Sequence, residues 1–470
     1  MERVTVVGGG LAGSECALQL ARRGVPVRLV EQRPAFASPA HRTAGLAELV
    51  CSNSLKSTKP DTAAGLLKLE LDDMGCALLP LARATAVPAG GALAVDREAF
   101  SAAVTAAVDA EPLVERVCER VCALPEGPAV VAAGPLCADE LFCAIQDAVG
   151  AGRMSFYDAA APIVDAQTID RGIAFSQSRY EEGVGDYLNC PMDRDEYDAF
   201  VGELCAAARV VARDFESRDL FCACQPVEEV ARTGHDSLRF GALKPVGLTD
   251  PRTGRRPWAV VQLRPENAAL AAYNLVGFQT NLTWSEQRRV FRMIPGLGQA
   301  EFERYGVMHR NSFVDAPHAL GTTFEIPGTR VRLAGQITGT EGYVEAIASG
   351  LLAALNTVAD LTGAPRALPP ATTALGSLVA YATDPATVGY QPMHVNFGVF
   401  PPLVDGTRRR RSERRAAQAA RARADSLAWV ASRPDLFGPV AVRLGGHAAQ
   451  VSLPTTAAGT EAAPGASVGE

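Results

Sequence analysis

Short apolar runs broken by glycines open the chain. RVTVV, residues 3 to 7, is β-branched and compact, as a buried strand requires. LAGSECALQLARR, residues 11 to 23, spaces its apolar positions for a helix that Gly24 stops. VPVRLVE, 25 to 31, returns to strand. A strand, a helix and a second strand in this order predict a βαβ unit in a parallel sheet. AAGLLKLELDDMG, 63 to 75, predicts another helix through Leu66, Leu67, Leu69 and Leu71, ended by Gly75. EGPAVVAAGP, 126 to 135, reads as a buried strand running into a glycine turn.

From about 151 to 304 the character changes. Aromatics and Arg/Asp pairs accumulate, and WAVVQL (258–263) and YNLVGFQT (273–280) read as strands. RVRLAGQ, ITGTEG and YVEAIASGLLAALN, over 330 to 356, then restore strand, glycine turn and helix. The expected organisation is a discontinuous domain of 1–150 and 305–400, with an α+β insertion at 151–304. A polar, Arg-rich segment follows at 401–450, and a disordered tail at 451–470. No internal repeat is visible.

Composition narrows the classes. At 470 residues the chain exceeds one comfortable core. A hydrophobic share of 48% is ordinary for a globular protein, and a net charge of -7 argues against uniform coating of nucleic acid. Any nucleic-acid contact requires a local basic patch. No apolar run reaches the length a bilayer span needs, so no membrane partner is expected. The 11 cysteines are irregularly spaced and no secretory leader opens the chain. They are read as reduced thiols in a cytoplasmic compartment. Cys222 and Cys224 stand too close for a zinc pair, so no metal is expected.

Gly8, Gly10, Leu11, Ala12 and Gly13 belong to a G-x-G-x-x-G string that follows a strand, opens a helix and leads to Glu31 at the end of the next strand. That context reads as a dinucleotide site. Gly8 permits the tight turn, Gly10 lets backbone approach a pyrophosphate, Gly13 allows close packing, and Glu31 accepts ribose hydroxyls. The motif sits at the N-terminus, and a second glycine turn, with Gly335, Gln336, Gly339 and Gly342 followed by Tyr343, comes late. FAD is therefore favoured over NAD. The predicted fold is α/β: a glutathione-reductase-type, FAD-binding Rossmann-like domain with an inserted α+β domain. No second fingerprint marks a separate NAD(P)H domain, and no C-x(4)-C pair marks a disulfide reductase.

Two cysteines lie outside apolar surroundings. Cys51 sits in AELVCSNSLKS (47–57) and Cys224 in DLFCACQPVEEVA (219–231). Together with VVGGGLAGSE (6–15), SPAHRTAGLAELVCSNSLKS (38–57), YLNCPM (187–192), LKPVGLTDPRTG (243–254), FQTNLTW (278–284), YGVMHRNSF (305–313), AGQITGTEGYVE (334–345) and QPMHVNFG (391–398), these stretches resemble the folate- and FAD-dependent tRNA (uracil-5-)-methyltransferases, the TrmFO family. The likeness runs over about 1 to 400. Gln32, the Ala242-Leu243 pair and the extra Cys222 depart from the family pattern, and the chain beyond about 425 matches poorly.

The resemblance implies methylation of uridine 54 in the T loop of tRNA. The carbon would come from 5,10-methylenetetrahydrofolate through reduced FAD, with NAD(P)H as reductant. Uracil C5 is a poor nucleophile until a thiolate adds at C6, and a base must later remove the C5 proton. Cys224 is assigned as the C6 nucleophile and Cys51 as base or second thiol, with the reversed order left open. Backbone N–H groups and hydroxyls over Cys51 to Ser54 are expected to lower the thiol's pKa and to hold cofactor or substrate oxygens. Cys190 is read as structural. His309 and Arg310 are candidates to hold folate, Lys244 a phosphate or folate carboxylate, Tyr343 the flavin or uracil face, and Trp284 a stacked base. The arginines of 407–424 either lie on phosphates or form a solvated helix face. Two other readings are a flavoprotein of the class that modifies the wobble uridine, expected to be longer at its C-terminus, and a non-catalytic FAD-stabilised RNA-binding protein.

Overall fold

β1 (Val4–Val7) and β2 (Val27–Glu31) run parallel, in register from Val4 opposite Val27 to Val7 opposite Val30, and α1 (Leu11–Ala21) connects them. The computed structural model that shows this describes residues 1–36, 38, 40–150, 154–181, 183, 185–210, 225–404 and 409–438. Shorter elements aside, the chain continues through β3 (Ser54–Ser57), α2 (Ala63–Asp73), β4 (Ala92–Val95), α3 (Arg97–Asp109), β5 (Val114–Cys118) and β6 (Ala129–Val131). Its middle forms β7 (Met154–Ala159), β8 (Ile163–Asp165), β9 (Phe175–Ser176), β10 (Leu188–Met192), β11 (Ala259–Pro265), β12 (Ala272–Leu275), α4 (Trp284–Phe291), β13 (Phe302–Arg304) and β14 (Met308–Phe313). β15 (Val331–Leu333), α5 (Tyr343–Thr362), α6 (Ala374–Thr383) and α7 (Arg411–Ser432) complete it.

The first sheet has the order β15-β6-β1-β2-β5, all parallel. Its strands are short and, at the centre, almost all apolar, because helices cover the sheet. The late strand β15 pairs with β6, Val331 opposite Ala129, which brings the second glycine turn beside the first. The second sheet, order β9-β10-β11-β12-β8-β13, is antiparallel at every printed pairing and has its own core around Tyr197, Phe200, Phe278 and Phe291. The α/β expectation therefore holds. The strand expected over 273–280 stops at Leu275, because Gly277 takes φ +79 and turns the chain. Cys190 is fully buried in β10, and burial pushes its thiol up to about 12, as suits a structural residue.

One expectation is overturned. α5 is long and apolar enough to cross a membrane by length and composition, although no such run stood out in the sequence. Glu345, Ser349, Asn356 and Thr357 interrupt it in linear reading, yet all four are buried in the fold. Most of the helix is core: 83% of its apolar window is buried. It crosses α1 so closely that a Cβ on Gly350 would stand 2.1 Å from the Ala12 carbonyl oxygen. Within the Arg-rich segment Arg411–Ser432 form a helix, α7, whose arginines divide, while 405–408 and everything from 439, the expected tail included, lie outside the described residues. Arg421 donates to the carbonyls of Pro401 and Pro402, and Arg423 to Asp73 at 2.9 Å. Arg411, Arg414 and Arg415 are exposed.

The α1–α5 crossing predicts the cost of adding bulk there. Gly350→Val should lower stability by about 1–3 kcal/mol, read as a lower urea midpoint. An unchanged midpoint would mean that the two helices separate freely.

Candidate active site

Strands of a parallel sheet leave a crevice outside their carboxyl ends, and this chain builds its cleft there. The cleft has a volume of about 360 Å³. It is lined by Gly8, Gly10, Leu11, Ala12 and Glu31 of the first glycine turn and the strand after it, and by Cys51, Lys56, Gln336, Gly342 and Tyr343. Gly13 lies beneath rather than in it: a Cβ there would sit 1.8 Å from the Gly8 oxygen, so only glycine lets α1 start this close to β1. A Cβ on Gly10 would meet nothing within 4 Å and would project into open space at the helix N-terminus. The unpaired N–H groups of a first helical turn, with room above them, fit the pyrophosphate of a dinucleotide. The cleft's extent beyond that point fits FAD.

Glu31 fixes the turn from the side. Its Oε2 accepts the Gly9 N–H at 2.7 Å, and its Oε1 accepts both the backbone N–H and Nε of Arg33 at 3.0 Å. Arg33 reaches on to Glu48 at 3.1 Å. Burial alone would raise the Glu31 carboxyl, but Arg33 outweighs it and holds the group below the usual carboxylate range. A ribose hydroxyl must share these oxygens, the weakest occupant being Arg33 Nη2 at 3.3 Å.

Of the late turn, Gly335, Gln336, Gly342 and Tyr343 line the cleft, but Gly339 does not. A Cβ on Gly339 would strike the Tyr390 hydroxyl at 2.3 Å, so this glycine serves packing.

The Cys51 loop is gripped on every side. The Tyr343 hydroxyl accepts the N–H groups of Cys51 at 3.0 Å and Ser52 at 3.1 Å. Burial first, then the neighbouring Cys51, pushes that phenol well above its ordinary value, so it stays protonated. Arg97 donates to the Leu49 carbonyl at 2.5 Å and pairs with Glu266 at 2.6 Å. Arg304 donates to the Val50 carbonyl at 2.8 Å. Arg264 donates to Asn53 Oδ1 at 2.8 Å and Ser52 Oγ at 2.9 Å. Asn53 is fully buried and donates to the carbonyls of Pro265 and Val95 at 2.9 and 3.1 Å. The Cys51 thiol, half-buried, points to the Ala159 carbonyl at 3.6 Å.

This corrects one expectation. The N–H groups of Cys51 and Ser52 do not stand free for cofactor or substrate oxygens: Tyr343 takes both, and Ser52 Oγ takes that of Ser54 at 3.1 Å. Burial pulls Arg264 and Arg304 below the ordinary arginine value, while Glu266 more than offsets it for Arg97. Three guanidinium groups thus surround the loop, and among the described residues a single carboxylate, Glu266, is paired to one of them.

The other candidates scatter. Trp284 is 61% exposed, lies outside the cleft and stacks on Tyr305, ring centroids 5.6 Å apart and planes 15° apart. Lys244 is exposed and also outside it. His309 and Arg310 fall in β14, opposite Asp158 and Tyr157, and the next residue, Asn311, lines the cleft. Their side chains, and Cys222 and Cys224 altogether, lie outside the described residues. Sequence reasoning missed Arg33, Arg97, Arg264, Arg304, Lys56 and Glu345. Arg264 directly follows the strand read over WAVVQL, but nothing in that run marks the arginine as turned inward.

A hydrogen bond to a charged donor is worth about 1.5–3 kcal/mol. Arg264→Met removes two from the loop. It should speed amide hydrogen exchange over residues 49–53 by about tenfold or more, measured by mass spectrometry. Unchanged exchange would show that the other grips suffice.

Comparison with known proteins places this geometry. A family model described as glucose inhibited division protein A matches residues 3–365. A protein of Geobacter sulfurreducens named methylenetetrahydrofolate–tRNA-(uracil-5-)-methyltransferase TrmFO is 54% identical over 91% of this chain and 99% of its own. One of the same name from Moorella thermoacetica is 50% identical over 90% and 97%. Among solved structures, GidA of Aquifex aeolicus in its form I crystal shares the fold, with a TM-score of 0.65 and 15% identity over 90% of this chain and 76% of that one. The chain belongs to the glucose inhibited division protein A family and, within it, to the group of proteins named TrmFO.

Proposed function

We propose that this chain methylates C5 of uridine 54 in the T loop of tRNA. 5,10-Methylenetetrahydrofolate is the carbon donor, FAD the bound cofactor and NAD(P)H the reductant. The observation that carries the reading is a free thiol, Cys51, in the lining of a flavin-type cleft on a loop held by Tyr343 and three arginines. A rigid mount is what a group needs when it must meet a base and a cofactor in one geometry. The close kinship to proteins named for this reaction supports it. The wobble-uridine class and a non-catalytic RNA-binding protein are less well supported, given 50–54% identity to proteins named for the uracil-5 reaction.

Bound FAD supplies the relay of the one-carbon unit and the reducing equivalents; the chain's residues do the rest. Gly10 and the first turn of α1 hold the pyrophosphate, and Glu31 the ribose. Cys224 adds through sulfur to uracil C6, which makes C5 nucleophilic. Cys51 faces the carbon being transferred and takes the C5 proton, so that elimination of the Cys224 thiolate restores the ring. Tyr343, protonated, fixes the loop and not the proton balance. The target base must leave its stack to reach the cleft. In this reading residues 1–150 with 305–400 carry the cofactor and 151–304 present the RNA. His309 and Arg310 hold folate, Lys244 an anionic group, and the exposed arginines of α7 lie on phosphates. Trp284, outside the cleft, receives a base other than the one that reacts.

Purified enzyme should show flavin absorbance and place label from methylene-folate on uracil C5 of an unmodified T-arm transcript when NADPH is added. Label absent from C5 sinks the methyltransferase reading, and colourless protein unable to take FAD sinks the flavin. Cys224→Ala should abolish any covalent protein–RNA adduct on denaturing gels, while Cys51→Ala should retain the adduct and lose product. The opposite pattern reverses the two roles.

A further inference from the structure

β3 and β4 pair out of step. Ser54 faces Ala94 and Ser57 faces Ala92, so three steps on one strand oppose two on the other. The surplus residue is a bulge, a device that re-aims a side chain. Lys56 takes it at φ 64, in the left-handed region, with its N–H on Ser54 Oγ at 3.2 Å. A residue with a side chain adopts that region only where the surrounding structure holds it there. The bulge turns Lys56 into the cleft.

Its ammonium group is then held in place. Lys56 Nζ lies 3.0 Å from Oε1 of Glu345, a carboxylate with no exposed surface, and that oxygen also accepts the Val395 N–H at 3.1 Å. Glu345 Oε2 has no hydrogen-bond partner among the described residues. Gly342, at φ +116, passes directly over the pair: a Cβ there would stand 2.2 Å from Glu345 Oε2 and 2.8 Å from Lys56 Nζ. The cation therefore sits on the first turn of the 20-residue helix α5, where the helix dipole adds to its field. Two further basic groups lie near. Lys68 donates to the Ser57 carbonyl at 2.9 Å and is pushed down to about 8 by burial, and His394 is lowered by burial and then by Lys56.

Lys56 lines the same cleft as Gly10 and Glu31, beside Cys51, Gly342 and Tyr343; with Gly10 and Glu31 taken by the pyrophosphate and ribose, this remaining lining is left for the flavin ring. We propose that Lys56, aimed by the bulge and held by Glu345, binds the carbonyl edge of the flavin's pyrimidine ring and sets how readily the ring is reduced. The inference rests on the flavin reading of the cleft given above. Hydride from NAD(P)H brings two electrons and one proton and leaves oxidised nicotinamide. The ring is left with one extra negative charge on its pyrimidine edge, and a fixed cation there stabilises it without giving up a proton.

The test uses the full chain loaded with FAD, without RNA or folate. Sulfite, which adds to oxidised flavin and places a negative charge on the ring, is titrated by the loss of flavin absorbance, and the midpoint potential is measured by dye equilibration. Lys56→Met should weaken sulfite binding at least about tenfold and lower the potential by about 30 mV, the tenfold equivalent for a two-electron couple. Lys56→Arg should restore most of both. Glu345→Gln keeps the size and the Val395 contact but removes the opposing charge, and should shift both readings the other way. Unchanged sulfite affinity and potential in Lys56→Met overturn the inference. Should that variant fail to fold or to take flavin, no positive shift in Glu345→Gln overturns it equally. A wild-type chain that holds flavin but transfers no methyl group sinks the proposed function alone, and one that takes no flavin sinks both.

Discussion

Burying a guanidinium costs several kcal/mol unless hydrogen bonds replace its water. Arg264 and Arg304 are almost wholly buried, and their shorter hydrogen bonds go to one short loop, residues 50 to 53, with a longer one from Arg264 to Asn274. The two sides of that arrangement need each other. Without the arginines, the loop's carbonyls and hydroxyl would face inward unpaired; without the loop, the arginines would be cations in a dry interior. Their donors come from β11 and β13 of the antiparallel sheet, whereas the loop belongs to the chain of the parallel one. The grip on the thiol is thus also a tie between the two sheets.

The cofactor cleft takes its shape from the same tie. Tyr343 opens α5, and its hydroxyl closes the near side of the Cys51 loop, while, about two turns further along, that helix is locked against α1 by the Gly350 crossing. α1 in turn begins at the glycines that fit a pyrophosphate. One rigid path therefore runs from the pyrophosphate end, through two crossed helices, to the thiol. Catalytic groups gain from this, because a fixed frame removes the entropy of finding the reactive arrangement.

Much of the frame was legible in the residues. β1, α1 and β2 announce themselves as apolar runs cut by Gly8 to Gly13 and Gly24, since their physics is local. What surrounds Cys51 was not. Ser52 and Asn53 read as the edge of an open polar turn, but Asn53 is fully buried and spends its amide across two sheets. Arg264 reads as a solvent-facing position of a strand, and Glu345 as the polar face of a helix. Each is buried because of a partner some fifty to three hundred positions away, and no local pattern encodes such a partner. Lys56 is a further case: its left-handed backbone follows from a register mismatch between strands, not from its own preference.

Arg304 and Tyr305 are consecutive residues with opposite duties. Arg304 reaches inward to the carbonyl beside Cys51, and Tyr305 turns its ring outward to back the exposed face of Trp284. Gln287 of α4 pins the next residue, Gly306, by two hydrogen bonds. The stacking partner of the surface tryptophan and the arginine that seats the thiol's loop are thus joined by a single peptide bond, and Gln287 anchors the chain directly beyond them.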